Sequence, residues 1–195
     1  MDKCDIKTHN GQMKSKINVI DLDGTLVPYD SFQKYTLTFL TKRRSWLTIL
    51  FTSVLRFINL IDGYKFKKTV ILAARKVDNY EAIMRNFAEK LYGDIDIKIM
   101  KMINNHEGPI TTNILCSASV EDYTKYLAKL LQWEYVCSRI DEEKQDFIHV
   151  HGKNKISAIE LLYPSDTYDY NFAVSDSSDD EELLSRFKYA ILLPR

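Results

Sequence analysis

The sequence predicts an α/β fold: a doubly wound, Rossmann-like parallel sheet of five or more strands, with an all-helical cap inserted after the first strand. Three observations carry this. Short runs rich in Ile, Val, Leu and aromatic residues recur along the chain, as buried strands of a parallel sheet require. Helical stretches alternate with them, the signature of βαβ units. About 80 residues separate the first such run from the second, between Val27 and Pro109, where a crossover usually takes a dozen or more.

The first strand is expected at Lys16–Asp21 (KINVID). The polar stretch before it has no apolar segment of the kind a signal peptide carries. Residues 1–15 therefore read as a disordered lead-in, with Met13 an alternative start. The insert reads as five helices, Ser31–Lys42, Trp46–Ile61, Tyr64–Val77, Tyr80–Leu91 and Asp94–Asn105, punctuated by Gly63 and Gly93 and closed by Gly108-Pro109. Further strands follow at Asn113–Ser117, Glu134–Cys137, Tyr170–Ser175 and Lys188–Leu193, with a weaker one at Asp146–Val150. Helices are expected at Ser119–Leu131, with Ser119 as N-cap, at Lys155–Leu162 and at Asp179–Phe187. The division is thus a core of residues 16–28 and 109–195 and a cap of residues 29–108.

Composition narrows the function. A hydrophobic fraction of 45% suffices for a sizeable core, and 27 basic residues against 27 acidic ones give no reason to expect a nucleic-acid binder. Three scattered cysteines, Cys4, Cys116 and Cys137, make neither a disulfide framework nor a CxxC metal pair, which fits a reducing cytoplasm. Charge is unevenly placed. Lys42 to Lys68 holds seven bases against one acid, Asp62, while Asp176 to Glu182 holds five acids and no base.

Four local patterns carry chemistry. Asp21-Leu22-Asp23-Gly24-Thr25 follows an apolar run, so its two carboxylates emerge at a strand end, where open α/β sheets bind ligands. A carboxylate there coordinates Mg²⁺ or attacks phosphorus, the second acid shuttles a proton, and Gly24 lets the backbone approach a ligand. A plain Asx-rich turn has the same composition. Asp176 ends a second apolar run and would complete a carboxylate pair for Mg²⁺. The acids after it also suit a helix N-terminus. Ser117 ends a third run and offers a hydroxyl for a phosphate oxygen, with an ordinary helix cap as the competing reading. Lys155, in Gly152-Lys153-Asn154-Lys155, supplies a cation for a phosphoryl-transfer site. Lys153 is the rival, and a solvated lysine the default for either.

In this order the four patterns resemble the haloacid dehalogenase superfamily of aspartyl-phosphate phosphatases. DLDGT at 21–25, CSAS at 116–119, GKNK at 152–155 and SDSSDDEELL at 175–184 match its motifs, with Ser175 in place of the usual Gly. The resemblance implies Asp21 as nucleophile and metal ligand, and Asp23 as general acid/base giving its backbone carbonyl to the metal. Ser117 would bind the phosphoryl group, Lys155 would bind it and stabilise the phosphoaspartate, and Asp176 would be the second metal carboxylate. Asp180 and Thr25 would support the site. VPYDSF at 27–32 and SASVEDY at 117–123 are similar to the phosphoserine-phosphatase-like branch, which includes members acting on lipid phosphates such as phosphatidylglycerophosphate.

The function expected is therefore Mg²⁺-dependent hydrolysis of a small-molecule phosphomonoester through a phosphoaspartate on Asp21. Two alternatives stay open: a lipid-phosphate phosphatase at a membrane surface, and a non-catalytic module that kept the fold. The absence of GxGxxG after the first strand and of GxxxxGK[ST] argues against nucleotide-binding oxidoreductases and kinases. The apolar stretch 46–61 has two readings, the buried centre of a helical bundle or an interfacial helix on an anionic membrane, with the bases at 42–44 and 65–68 flanking it.

Overall fold

The computed structural model describes residues 14–194. Most of the lead-in expected over residues 1–15 lies outside this range, as do Cys4 and Met13, while Ser15 already belongs to the first strand.

Six strands form one sheet in the order β4-β3-β2-β1-β5-β6. They are β1 (Ser15–Ile20), β2 (Thr111–Val120), β3 (Glu134–Asp141), β4 (Asp146–Ile148), β5 (Tyr168–Ser175) and β6 (Tyr189–Leu192). All pairings are parallel except β3 with β4, which is antiparallel at the edge. The chain builds outward from β1 through β2 and β3 on one side and through β5 and β6 on the other. The crevice between β1 and β5 is therefore the switch point at which such sheets bind ligands.

Five helices fill the stretch between β1 and β2: α1 (Ser31–Leu40), α2 (Trp46–Phe57), α3 (Gly63–Ala74), α4 (Tyr80–Gly93) and α5 (Ile97–Asn104). The others are α6 (Glu121–Leu131), α7 (Lys153–Leu162) and the short α8 (Glu181–Leu184), which a 3₁₀ turn at Ser178–Asp180 precedes. On β1, alternation sends Ile17 and Val19 to one face, packed with Ile156 and Ile159 of α7 and Leu183 of α8. Ile20 faces the other way and joins a core shared with α6 and the inserted helices. Asn18 on that strand is fully buried, which an apolar core tolerates only with its hydrogen bonds made. Asn113 and Asn171 on the flanking strands supply them, each at 2.8 Å.

The two ends of the insert meet beside the first loop, where the Asp96 amide donates to the Leu26 carbonyl at 2.9 Å. Its middle is latched to the core by Arg75, which grips Asp122 of α6 through two hydrogen bonds of 2.7 Å, with Tyr80 adding a third at 2.5 Å. Tyr64 and Lys68 both bond Asp146 on β4.

Three expectations need correction. Ser119 does not cap α6: the strand runs on to Val120, which occupies the cap position without a side-chain bond. The helix expected at Asp179–Phe187 is shorter, because the 3₁₀ turn takes its start and Leu184 ends it. The bundle-centre reading of the second insert helix fails. Of α2 only Ile49 and Thr52 are buried, and its other large apolar side chains meet solvent.

Candidate active site

The site lies where β1 and β5 end. Parallel pairing of Ile20 with Val174 brings Asp21 level with Ser175, and the Asp21 amide donates to the Val174 carbonyl at 3.0 Å. Asp21 and Asp176 thereby leave adjacent strands into one crevice. Thr25 ties them together. Its hydroxyl accepts from the Asp176 amide at 2.9 Å and lies 3.5 Å from Asp21 Oδ2.

Lys155 is the third element to arrive. It sits in the first turn of α7 but is almost wholly buried, and its Nζ donates to Asp21 Oδ1 at 2.7 Å and to Asp180 Oδ2 at 2.6 Å. A buried ammonium between two carboxylates is the arrangement that keeps all three charges affordable in a poor dielectric. Burial alone would lower the Lys155 pKa, but Asp21 and Asp180 outweigh it and the pKa is raised. Burial pushes the Asp21 carboxyl up to about 6, with Lys155 pulling against it. Lys153, by contrast, is exposed.

Asp23 occupies its own polar pocket. Its Oδ1 accepts the Ser31 amide at 2.7 Å and its Oδ2 accepts the Ser119 hydroxyl at 2.5 Å. Ser31 Oγ in turn lies 2.9 Å from Ser119 Oγ and 2.8 Å from the Tyr123 hydroxyl. Burial outweighs these bonds and raises the Asp23 pKa. Ser117 is buried in β2, three residues before the strand ends, and its Oγ accepts the Ser119 amide at 3.0 Å.

Several contributors escaped the sequence reading. Ser175, which stands in place of the usual Gly, points inward. Its hydroxyl donates to Asp180 Oδ2 at 2.6 Å and accepts the Ser177 amide at 3.1 Å. Ser119, Ser31 and Tyr123 are remote in sequence from Asp23, and nothing local marks them as its support. Lys67, one of the seven bases between residues 42 and 68, turns its Nζ inward, to the Ala118 carbonyl at 3.2 Å, 5.2 Å from the Phe32 ring. Burial lowers its pKa, while Asp30 and Asp23 pull the other way.

The donors suit a hard divalent cation. Asp21 and Asp176 offer carboxylate oxygens at the ends of adjacent strands. Gly24 has a φ of +72°, and a Cβ there would fall 2.3 Å from Asp176 Oδ2, so the missing side chain is what leaves room for that carboxylate. Among the described residues no three His, Cys, Asp or Glu side chains cluster as an all-protein metal cage. Mg²⁺ does not need one, because it usually takes one or two carboxylates and keeps waters and phosphate oxygens.

Among solved structures, a protein of unknown function from Bordetella pertussis Tohama I shares the fold with a TM-score of 0.71 at 13% identity, over 92% of this chain and 90% of that one. A phosphoserine phosphohydrolase-like protein from Francisella tularensis aligns at 14% identity over 90% and 94% of the two chains, with a TM-score of 0.55. A probable phosphoserine phosphatase from Vibrio cholerae has a TM-score of 0.64 at 13% identity, over 91% of this chain but only 56% of its own. No curated protein sequence matches this chain significantly. The sequence model of the haloacid dehalogenase-like hydrolases matches residues 19–185, from the end of β1 through α8. With the fold shared and the match covering most of the chain, this protein belongs to the haloacid dehalogenase-like hydrolase family.

Proposed function

We propose that this protein is a Mg²⁺-dependent phosphatase that hydrolyses small phosphate monoesters through a phosphoaspartate on Asp21. The observation that carries the reading is the shared ammonium of Lys155, buried between Asp21 and Asp180. It occupies one oxygen of Asp21 and leaves Oδ2, with its long contact to Thr25, as the attacking atom.

Asp21 and Asp176, with the Asp23 backbone carbonyl, would hold Mg²⁺. When bound, the cation neutralises the phosphate dianion facing these carboxylates. The remaining chemistry belongs to side chains. Asp21 Oδ2 attacks phosphorus and the ester P–O bond breaks. Asp23, whose pKa burial raises, gives its proton to the departing alkoxide. Asp23 then takes a proton from water as that water attacks phosphorus, the P–Oδ bond breaks, and inorganic phosphate leaves with Asp21 restored. Ser117 and Lys155 bind the phosphoryl oxygens, and Lys155 steadies the phosphoaspartate. Thr25 and Asp180 hold Asp21, Asp176 and Lys155 in place.

The test is steady-state hydrolysis of p-nitrophenyl phosphate. Turnover requires Mg²⁺ and disappears in Asp21→Asn, which keeps the shape but cannot attack phosphorus. Asp23→Asn slows turnover by about 10²–10⁴-fold while calorimetric Mg²⁺ binding persists. Full turnover in excess chelator, or by the Asp21 variant, would sink the mechanism. Family membership, intact acids and the buried lysine together favour this reading over a non-catalytic module.

A further inference from the structure

We infer that the outer face of α2 is a docking surface for an anionic lipid bilayer, and that it presents an amphiphilic phosphate monoester to the crevice. The substrate half of this rests on the phosphatase reading above, while the docking half stands by itself.

The helix is inverted relative to an ordinary surface helix. Its buried residues are Ile49 and Thr52, with Ser53 and Leu55 half-buried. Trp46, Leu47, Leu50, Phe51, Val54 and Phe57 recur at helical spacing on the outward side, and all six are exposed. Leu47 is 63% exposed, Phe51 64% and Phe57 86%. Single exposed apolar residues need no explanation, but a continuous apolar face on a helix marks an interaction surface. Among the described residues no helix is long and apolar enough to cross a membrane, so the geometry is that of a helix lying in the interface.

Charge selects the partner. Arg43 stands exposed just before the helix, next to Arg44, which pairs with Asp78 at 2.6 Å, and Lys65 lies exposed just beyond it, while Asp62 is the sole acid between residues 42 and 68. Bases at both ends of an apolar face match an anionic headgroup plane. Trp46, next to the basic cluster, is a side chain suited to the headgroup level. The same arrangement disfavours a second copy. Both ends of the helix are basic, so a two-fold pairing of these faces would bring like charges together in either orientation.

A groove of about 430 Å³ lies between α1, α2 and α3, beside the inward edge of the helix. Ser53 of α2, Leu37 and Leu40 of α1 and Phe66 of α3 line it, together with Phe32 and Asp30. Asp30 precedes Ser31, whose amide holds Asp23, and Lys67 stands over Phe32. An apolar tail laid along this groove would leave its phosphate at the crevice, with Lys67 beside it.

Flotation with vesicles of phosphatidylcholine alone, or mixed with phosphatidylglycerol, tests the docking. The protein should float with anionic vesicles and less so as salt rises from low to physiological strength. The triple variant Leu47→Ser/Phe51→Ser/Phe57→Ser should lose roughly tenfold or more of that binding, and Arg43→Glu/Lys65→Glu should lose it too. Both variants should keep wild-type turnover of p-nitrophenyl phosphate, while hydrolysis of phosphatidic acid in vesicles falls in the triple variant. Absence of flotation in both salts would overturn the proposal, as would equal binding to neutral vesicles. So would a dimer seen by sedimentation that the triple variant abolishes without any vesicle binding. Flotation by a protein inactive on every phosphate ester would keep the docking surface and remove the phosphatase reading.

Discussion

Lys155 Nζ lies 2.7 Å from Asp21 Oδ1, although 134 residues separate the two in the chain. The contact joins α7 to the end of β1, and a second bond of 2.6 Å carries it on to Asp180 beyond β5. Three elements of the core thus converge on one ammonium group. Without that group, two buried carboxylates would face each other with no counter-charge.

Replacing Lys155 should therefore cost both rate and stability. Lys155→Met is expected to lower turnover of p-nitrophenyl phosphate by about 10²–10³-fold and to destabilise the fold by about 3 kcal/mol, since a buried pair loses one partner. Lys153→Met, on an exposed side chain, should change stability by no more than about 0.5 kcal/mol. Kinetics and urea unfolding of both variants check this, and a larger rate loss for Lys153→Met would reverse the assignment.

Gly24→Ala should act on the metal rather than on the fold. The new methyl would fall within 2.3 Å of Asp176 Oδ2 and the residue would keep a φ of +72°. The strain costs roughly 1 kcal/mol, and the Asp176 carboxylate must move away. The expected result is a folded protein whose half-saturating Mg²⁺ concentration rises about tenfold or more, the equivalent of about 1.4 kcal/mol. An unchanged Mg²⁺ dependence would remove Asp176 from the metal site.

The insert should be held to the core mainly through Asp122, which is nearly buried and takes three hydrogen bonds from Arg75 and Tyr80. Asp122→Ala removes all three bonds, leaves the half-buried Arg75 guanidinium with Glu142 as its remaining acid, and should cost about 3 kcal/mol. For a chain of this size that is a fall in Tm of roughly 10 °C. Differential scanning calorimetry measures it, and a double-mutant cycle with Arg75→Met isolates the pair.

His149 should make stability fall below neutral pH. Burial, with Lys67 and His151 adding repulsion, lowers its pKa from 6.5 to about 4, so the folded state holds the ring neutral. The unfolded chain binds a proton at higher pH than the folded one does. This contribution is complete above about 6.5 and is lost progressively as pH falls toward about 4. On the order of 2 kcal/mol is at stake, after discounting for the solvent that reaches the ring. His149→Phe, which keeps a ring beside Phe147 and His151, should flatten the pH dependence of urea unfolding between pH 7 and 4.5, and an unaltered slope would contradict the lowered pKa.

Much of this protein can be read from its sequence, because strands and helices announce themselves through local periodicity. The apolar runs at KINVID and YNFAVS mark β1 and β5, and Asp21 and Asp176 follow from the places where those runs stop. The helical character of the insert is equally local. Boundaries are less so. Ser119 reads as a cap because a serine before an acid-rich turn usually is one, but in the fold its hydroxyl is drawn to Asp23.

What the sequence by itself determined is the class of fold, the insert, and the family to which the motifs belong, since each depends on residue types at short spacing. Tertiary structure alone decided that Ser175 serves Asp180 inside the core and that Lys67 turns inward. It also decided that α2 shows its apolar side to solvent. An apolar helix has the same sequence whether its neighbours surround it or leave it bare. Its exposure is set by how α1 and α3 pack against its threonine side, a relation between elements that no periodicity within one of them contains.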